Sequence, residues 1–205
     1  MILLTLAAFA QAPSVAASTR DSAMTCGAAT AVAAGEATVR VTSQASYFVM
    51  QAVRTDPQGK SFTERYSELI GQLGTYARPL VQGGAMEGRA PGIVQECDRI
   101  YPLARAIRRP SLPSDPFERD LMCLAVVSFV EGMGRESAPG GAPGHDAMLA
   151  AQEAYIDRLP DSRTQAAGLP DTPAVTRRVG ELLGRSMDLG NSESVSLSCM
   201  DALAG

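Results

Sequence analysis

The sequence predicts an all-α protein of about eight helices, and three observations support that class. Apolar residues recur at three- and four-residue spacing in most of the long segments, which is the period of one face of an α-helix. Several of these segments open with a capping residue followed by a proline or a glutamate at a helix-starting position. No segment alternates convincingly between apolar and polar residues, so we expect essentially no β-sheet.

The most apolar stretch after the N-terminus predicts a central helix over 115–134. Asp115 can cap it, Pro116 suits the first helical position, and Glu118 stands three residues after the cap. Residues 121–130 are apolar almost all round, as in a helix surrounded by other helices. An apolar run of ten residues is too short to cross a bilayer, so we expect no transmembrane span.

The other helices are predicted from apolar stripes and from the residues that start or stop them. We expect Ser61 and Glu64 to form a capping box, Thr172 to cap a later helix, Pro79 to end or kink one near Arg78, and Pro102 to kink another. Polar or Gly- and Pro-rich segments predict a mobile start and two loops, at 18–24, 136–144 and 160–170. The predicted helices cover 26–35, 36–54, 61–78, 91–109, 146–159, a segment opening at Pro173, and 192–203.

Residues 1–17 are typical of a secretory signal peptide. An apolar stretch over 2–10 leads to the small residues Val15, Ala16 and Ala17, which fit a cleavage site of the A-x-A kind. No Lys or Arg precedes the apolar stretch, so the alternatives are a start site further upstream or a cytosolic protein with an apolar N-terminus. We expect export to the periplasm or secretion.

The four cysteines, Cys26, Cys97, Cys123 and Cys199, favour the same compartment. They are even in number, widely spaced and free of any C-x-x-C pair, which in an oxidising compartment indicates two disulfides with three possible connectivities. Free buried thiols are the alternative. Zinc ligands usually come in close pairs, so a metal site is the least favoured interpretation.

Short motifs suggest that the chain contains an internal repeat, 18–109 followed by 110–205. Cys26 and Cys123 are each followed by Ala two residues later and by Gly nine residues later. Each half would then hold four helices, and the simplest pairing is one disulfide per half, Cys26–Cys97 and Cys123–Cys199. Coincidence among short apolar motifs is the competing explanation.

The segment C-L-A-V-V-S-F-V-E-G, residues 123–132, resembles the small exported α-helical proteins of alphaproteobacteria. In those proteins a cysteine opens an apolar helix, a tyrosine-bearing helix follows, and a second cysteine comes late. The resemblance implies a helical fold and an exported protein, and it implies no reaction because those proteins are uncharacterised. Periplasmic immunity proteins of secretion systems are similar only in kind.

The sequence contains no recognisable reactive constellation. The single histidine, His145, is expected to be a solvated loop residue, and Glu131 is expected to face water at the end of its helix. A buried Glu131 would favour a carboxylate-dependent hydrolase instead. No phosphate loop, dinucleotide fingerprint or H-E-x-x-H motif is present, so we expect neither a cofactor nor a catalytic metal.

Charge and composition restrict the partners. A net charge of −4 with a pI near 5.1 argues against nucleic acid, which requires a basic face. Arg105, Arg108 and Arg109 form one small basic cluster, expected to complement a helix end. The tyrosine pairs 47–48 and 155–156 are expected in the core, and Glu68 and Glu181 on solvated helix faces.

We therefore expect a monomeric, non-catalytic envelope protein that binds another protein or serves a structural role. An apolar-ligand carrier is a third possibility, because methionines make adaptable linings. The candidates for such a lining are Met50, Met122, Met148 and Met187.

Overall fold

The computed structural model describes residues 19–82, 88–137 and 144–204, and every regular element within those ranges is helical. The all-α prediction is confirmed. The helices are α1 Arg20–Ala34, α2 Val39–Thr55, α3 Phe62–Val81, α4 Ala90–Ile100, α5 Pro116–Ser137, α6 His145–Asp157, α7 Asp161–Ala166, α8 Thr172–Ser186 and α9 Ser192–Ala204, with a 3₁₀ turn at Pro102–Arg105. The predicted signal peptide over 1–17 lies outside the described residues.

Helix α5 is the centre of the later part of the chain, as its composition predicts. It packs against α6, α8 and α9, and it also meets α2. Cys123, Val126 and Val127 on this helix have no exposed surface. Asp115 caps it as predicted, because its carboxylate accepts a hydrogen bond of 2.7 Å from the backbone N–H of Glu118. This cap fixes where the central helix begins.

The earlier part of the chain is organised around α1 and not around α3. Helix α1 packs against α2, α3 and α4. The apolar stripe of α3 faces the core as its spacing predicts, although only Arg65, Leu69 and Leu80 on this helix are buried. Most other members of the stripe are partly buried and pack against the core: Phe62, Tyr66, Leu73, Tyr76 and Ala77.

Two predicted starts are wrong because side chains cap the helices earlier than the apolar pattern begins. Helix α1 opens at Arg20 instead of Cys26, since Thr19 and Ser22 form a capping box. The segment 18–24 is therefore helical from residue 20 onward. At α8 the cap is Asp171, whose carboxylate accepts a 2.8 Å hydrogen bond from the N–H of Ala174, and Thr172 is already helical.

Pro79 does not end its helix, and Pro102 follows a helix instead of kinking one. Helix α3 continues to Val81 with Pro79 inside it, one turn beyond the predicted end. Helix α4 ends at Ile100 instead of kinking at Pro102, because the residue before a proline is kept out of the α region and proline has no N–H to donate. The chain then makes the 3₁₀ turn.

The two segments predicted as loops also need correction. Helix α5 runs past Gly134 to Ser137, and residues 138–143 of the predicted flexible stretch lie outside the described part. The segment 160–170 contains the six-residue helix α7, which adds a fifth helix to the later half. Pro160 supplies the extended backbone that precedes this short helix.

Both disulfides form, with the predicted connectivity. Cys26 pairs with Cys97 and joins α1 to α4, while Cys123 pairs with Cys199 and joins α5 to α9. The sequence separations are 71 and 76 residues. All four cysteines are fully buried, and none is free. The duplication from which the pairing was inferred stays a prediction.

Asn191 attaches the segment after the 3₁₀ turn to α9. It is 2% exposed, and its side-chain oxygen accepts a hydrogen bond from the N–H of Ser194, which caps α9. Its amide nitrogen donates to the carbonyls of Ala104 and Ala106 at 3.0 and 2.8 Å. One buried amide therefore sets the position of the chain that runs along α9 towards α5.

Candidate ligand-binding clefts

The cysteines predicted as site residues serve as covalent staples. Their burial leaves the sulfur atoms out of contact with solvent. Tyr155, on α6, is also fully buried, and its hydroxyl donates a 2.6 Å hydrogen bond to the carbonyl of Cys199. The later disulfide therefore has a third helix attached to it.

Glu131 does not face water, so that prediction is wrong. It is 4% exposed, because α5 continues for a further turn and a half and carries Glu131 away from the helix end. Arg135, one turn later and exposed, holds its carboxylate with nitrogen–oxygen distances of 3.1 and 2.5 Å. This ion pair raises the pKa of Arg135. Glu131 lines neither of the two clefts described below.

The other predicted chemistry-bearing residues are dispersed. His145 is the first residue of α6 and not a loop residue; its side chain lies outside the described part. Of the three clustered arginines, Arg105 pairs with Asp98 at 2.6 Å and Arg109 pairs with Asp201. The expected basic cluster is thus largely neutralised, by one acid seven residues earlier and by one that is 92 residues later.

The surface glutamates and the aromatic pairs lie mostly where we expected them. Glu68 accepts from Lys60 and Arg65, which lowers its pKa, and the half-exposed Glu181 pairs with Arg178. Tyr47, Phe48 and Tyr155 are buried in the core, whereas Ile156 is 52% exposed.

The candidate lining methionines do not gather at either of the two clefts. Met50, Met122 and Met187 are buried in the hydrophobic core, and Met148 is partly buried against it. None of the four contributes to the walls of the two clefts.

The first cleft, which we call the arginine cleft, lies where the corner between α2 and α3 meets α8. It has a volume of about 420 Å³. Its walls are formed by Val53, Arg54, Pro57, Lys60, Phe62, Arg178, Glu181, Gly184 and Arg185. The lining therefore combines four cations and one acid with the apolar side chains of Val53, Pro57 and Phe62.

One helical glycine allows this arrangement. A Cβ on Gly184 would lie 2.8 Å from the ring of Phe62, so only glycine lets the ring lie directly on α8. Gly180, one turn earlier, also faces the start of α3, but an added Cβ there would make an ordinary contact of 3.4 Å with Thr63. The start of α3 consequently rests on the bare backbone of α8, and Phe62 forms part of the cleft instead of pointing away from it.

Internal acids hold the cations of the arginine cleft in place. Glu118 on α5 pairs with both Arg178, at 3.2 Å, and Arg185. Arg54 pairs with Asp188 at 2.6 Å. These pairs engage one or two nitrogens of each guanidinium, which carries five N–H donors, so positioned donors remain.

The second cleft, which we call the proline cleft, lies between the segment after the 3₁₀ turn, the start of α5 and the end of α9. It has a volume of about 440 Å³. Its walls are formed by Arg109, Pro110, Leu112, Pro113, Ser114, Arg119, Ser198, Asp201 and Ala202. The Asn191 bonds and the Cys123–Cys199 disulfide fix the elements that enclose it.

A buried carboxylate surrounded by arginines lies beside the proline cleft. Asp120 is 3% exposed and pairs with Arg163 at 2.7 Å, while Arg119 and Arg158 stand 3.7 and 3.8 Å from its other oxygen. The guanidinium of Arg163 also lies over the ring of Phe117. One acid thus faces three cations, and this cluster attaches the unpredicted helix α7 to α5.

Sequence reasoning missed Arg65, Asp120 and Ser198, which are all buried and polar. A charged residue directly before a helical segment that is apolar on every face can be predicted to be buried. Asp120 is such a residue, because it directly precedes Leu121. Arg65 and Ser198 have a weaker signal in their spacing, because Arg65 lies three residues after Phe62 and Ser198 three residues after Val195, on apolar helix faces. Their burial depends on helices that are distant in sequence.

No protein-family model matches this chain, and the comparisons with curated proteins and with solved structures also give no match. Within the described ranges, no cluster of His, Cys, Asp and Glu has an arrangement that could hold a metal ion. No helix of the described part is long and apolar enough to cross a bilayer.

Proposed function

We propose that this chain is an exported, monomeric, non-catalytic binding protein that recognises a protein partner through the arginine cleft. The observation that carries the proposal is the placement of Phe62 among four cations. Arginine and aromatic side chains are enriched at the energetic centres of protein interfaces, where an aromatic ring fills a pocket and guanidiniums pair with the partner.

The cleft favours a partner segment that presents an acidic side chain next to an apolar one. Val53, Pro57 and Phe62 supply the apolar contact, and the remaining N–H groups of Arg178 and Arg185 can donate to a carboxylate. Because Glu118 already orients both guanidiniums, less side-chain entropy is lost when the partner binds.

Affinity capture from an envelope extract tests this proposal. We would immobilise the wild type, the double variant R178Q/R185Q, and R40Q as a matched control. Arg40 is an exposed arginine, paired with Glu193, and lies outside both clefts. We expect the wild type and R40Q to retain the same partner, and the double variant to retain at least tenfold less by quantitative mass spectrometry. Equal capture by all three proteins would contradict the use of this cleft.

Export is supported by the two disulfides, which form and persist in oxidising compartments. Cell fractionation combined with N-terminal sequencing tests it, and we expect an oxidised chain that begins after Ala17. A reduced, full-length chain in the cytosol would overturn this part of the proposal. Sedimentation of the oxidised chain should show a monomer.

A further inference from the structure

The proline cleft contains a buried hydroxyl whose hydrogen bonding is incomplete. Ser198 is 6% exposed, and its Oγ has no hydrogen-bond partner among the described residues. Serines within helices usually donate to a carbonyl one turn back. Ser194 and Ser196 on the same helix do so, at 2.9 and 2.8 Å. Ser198 therefore departs from its own neighbours at the wall of a cleft.

A buried guanidinium nitrogen in the wall of the same cleft also lacks a hydrogen bond within the described residues. The Nε of Arg119 is shielded from solvent and has no hydrogen-bond partner among the described residues, and it faces Oδ1 of Asp120, which also lacks one, at 3.7 Å. Arg109, at the mouth, brings a second guanidinium, paired with Asp201. A buried polar atom without a partner costs stability, so the Ser198 hydroxyl, which has no such facing charge, calls for an explanation.

Most of the rest of the wall is apolar. Pro110, Leu112, Pro113 and Ala202 give the cleft an apolar surface beside its donors. The prolines keep this surface rigid, because their rings fix the backbone. A ligand that suits both the donors and this surface carries a negative oxygen pair at one end and a short branched apolar group at the other.

We propose that the proline cleft binds a small carboxylate that bears an apolar substituent. One carboxylate oxygen accepts from a terminal N–H of Arg119, whose side chain is 34% exposed, and the other accepts from Oγ of Ser198 after a rotation about χ1. Arg109 supplies long-range attraction at the mouth. The apolar substituent packs against Leu112 and the prolines. Such a carboxylate has two sources, a free short-chain acid or the C-terminal residue of a peptide.

The Cys123–Cys199 disulfide holds these groups at a fixed separation. Arg119 precedes Cys123 by one helical turn, and Ser198 is adjacent to Cys199. The covalent bond therefore ties α5 to α9 directly beside these two residues, so the site is preorganised before any ligand arrives.

Titration of the full oxidised chain in a low-chloride buffer tests the proposal by NMR chemical-shift perturbation. The probes are 3-methylbutanoate, N-acetyl-leucine and the uncharged N-acetyl-leucinamide. We expect both carboxylates to bind with shifts that map to the proline cleft, and the amide to bind at least tenfold more weakly. Tighter binding of N-acetyl-leucine identifies a peptide C-terminus as the source, and tighter binding of 3-methylbutanoate identifies a free acid. Equal binding of acid and amide, or no binding, would overturn the proposal.

The variant S198A separates a binding role from a structural one. Alanine removes the unpartnered hydroxyl, so S198A should be at least as stable as the wild type while binding the carboxylate threefold to tenfold more weakly. Thr30, on α1, is the matched control, because its Oγ1 is also buried without a partner and lies outside both clefts. T30V should retain full binding. Wild-type affinity in a folded S198A would overturn the assignment, and R119Q should lose binding at least tenfold.

Discussion

The two disulfides have similar covalent geometry but different surroundings. Both are fully buried, and they span 71 and 76 positions of the chain. The bond between Cys26 and Cys97 joins α1 to α4, and neither of these two helices contributes to the walls of either cleft. The bond between α5 and α9 lies beside Arg119 and Ser198 and receives the hydroxyl of Tyr155 at the Cys199 carbonyl. The first is therefore a staple alone, and the second also positions candidate ligand-binding groups.

The largest expected effect comes from removing each disulfide in turn. C26A/C97A and C123A/C199A should each lose about 4 kcal/mol of unfolding free energy in the chain-entropy model, because the two loops are of nearly equal length. Chemical denaturation measures both losses. Only C123A/C199A should also lose binding of N-acetyl-leucine. If C26A/C97A lost that binding equally while still folded, the contrast between the two bonds would be wrong.

The earlier and later parts of the chain also differ in the sign of the buried charge around which an ion-pair cluster forms. Around α3 the buried ion is the cation Arg65, which donates to the Asp56 carbonyl, to its carboxylate and to Glu68 at 2.8, 2.7 and 3.0 Å. R65A should cost about 3 kcal/mol, because it removes three charge-assisted hydrogen bonds from a buried position. K60A is the control: Lys60 pairs with the same Glu68 at the exposed surface, so its loss should cost less than about 1 kcal/mol.

In the later region one of the buried ions is the acid Asp120, with three arginines near it. D120A should cost about as much as R65A and should release α7, which Arg163 holds. Hydrogen exchange over 161–166 measures that release, and R65A should leave those amides protected. If hydrogen exchange increased along the whole chain in both variants, the effect of each cluster would not be confined to the helices that it joins.

The buried hydroxyl of Tyr155, which donates to the Cys199 carbonyl, should contribute stability that depends on pH. Y155F removes one buried hydrogen bond and should cost about 1 kcal/mol near neutral pH. Burial raises the pKa of Tyr155, so the folded protein holds that proton more tightly than the unfolded chain does. The corresponding stability is fully present below about pH 10 and is lost as pH rises from there towards the raised folded pKa.

The stability of Y155F should therefore fall less steeply above about pH 10 than that of the wild type. Part of the fall should persist in Y155F, because burial also raises the pKa of Tyr47. Denaturation midpoints measured from pH 8 to pH 11 check this. Parallel pH profiles for the two proteins would show that Tyr155 contributes nothing to the alkaline loss.

The smallest effect is expected from two helical glycines. At Gly74 an added Cβ meets no atom within 4 Å, so G74A should gain about 1 kcal/mol from helix propensity. G184A makes the same gain but forces the Phe62 ring off α8, a cost of about 1–3 kcal/mol, so the net change should be near zero or destabilising. G184A should also weaken partner capture by the arginine cleft, whereas G74A should not.

Local patterns determined most of the secondary structure. Cap residues such as Asp115 and Ser61 act through atoms only three residues away, so their effect can be seen in the sequence itself. The errors came where a cap was overlooked, as at Thr19, or where a proline had two permitted outcomes, as at Pro79 and Pro102. The disulfide pairing also followed from the sequence, through the assumption that each half closes on itself.

The sequence by itself determined the helical class, the central position of α5 and the two covalent staples. Only the tertiary structure decided that Glu131, Arg65 and Ser198 are buried, and that the arginine and proline clefts exist. The physical reason is that helical spacing states which side chains share a face. It does not state whether another helix covers that face, and each cleft is built from segments that are far apart along the chain.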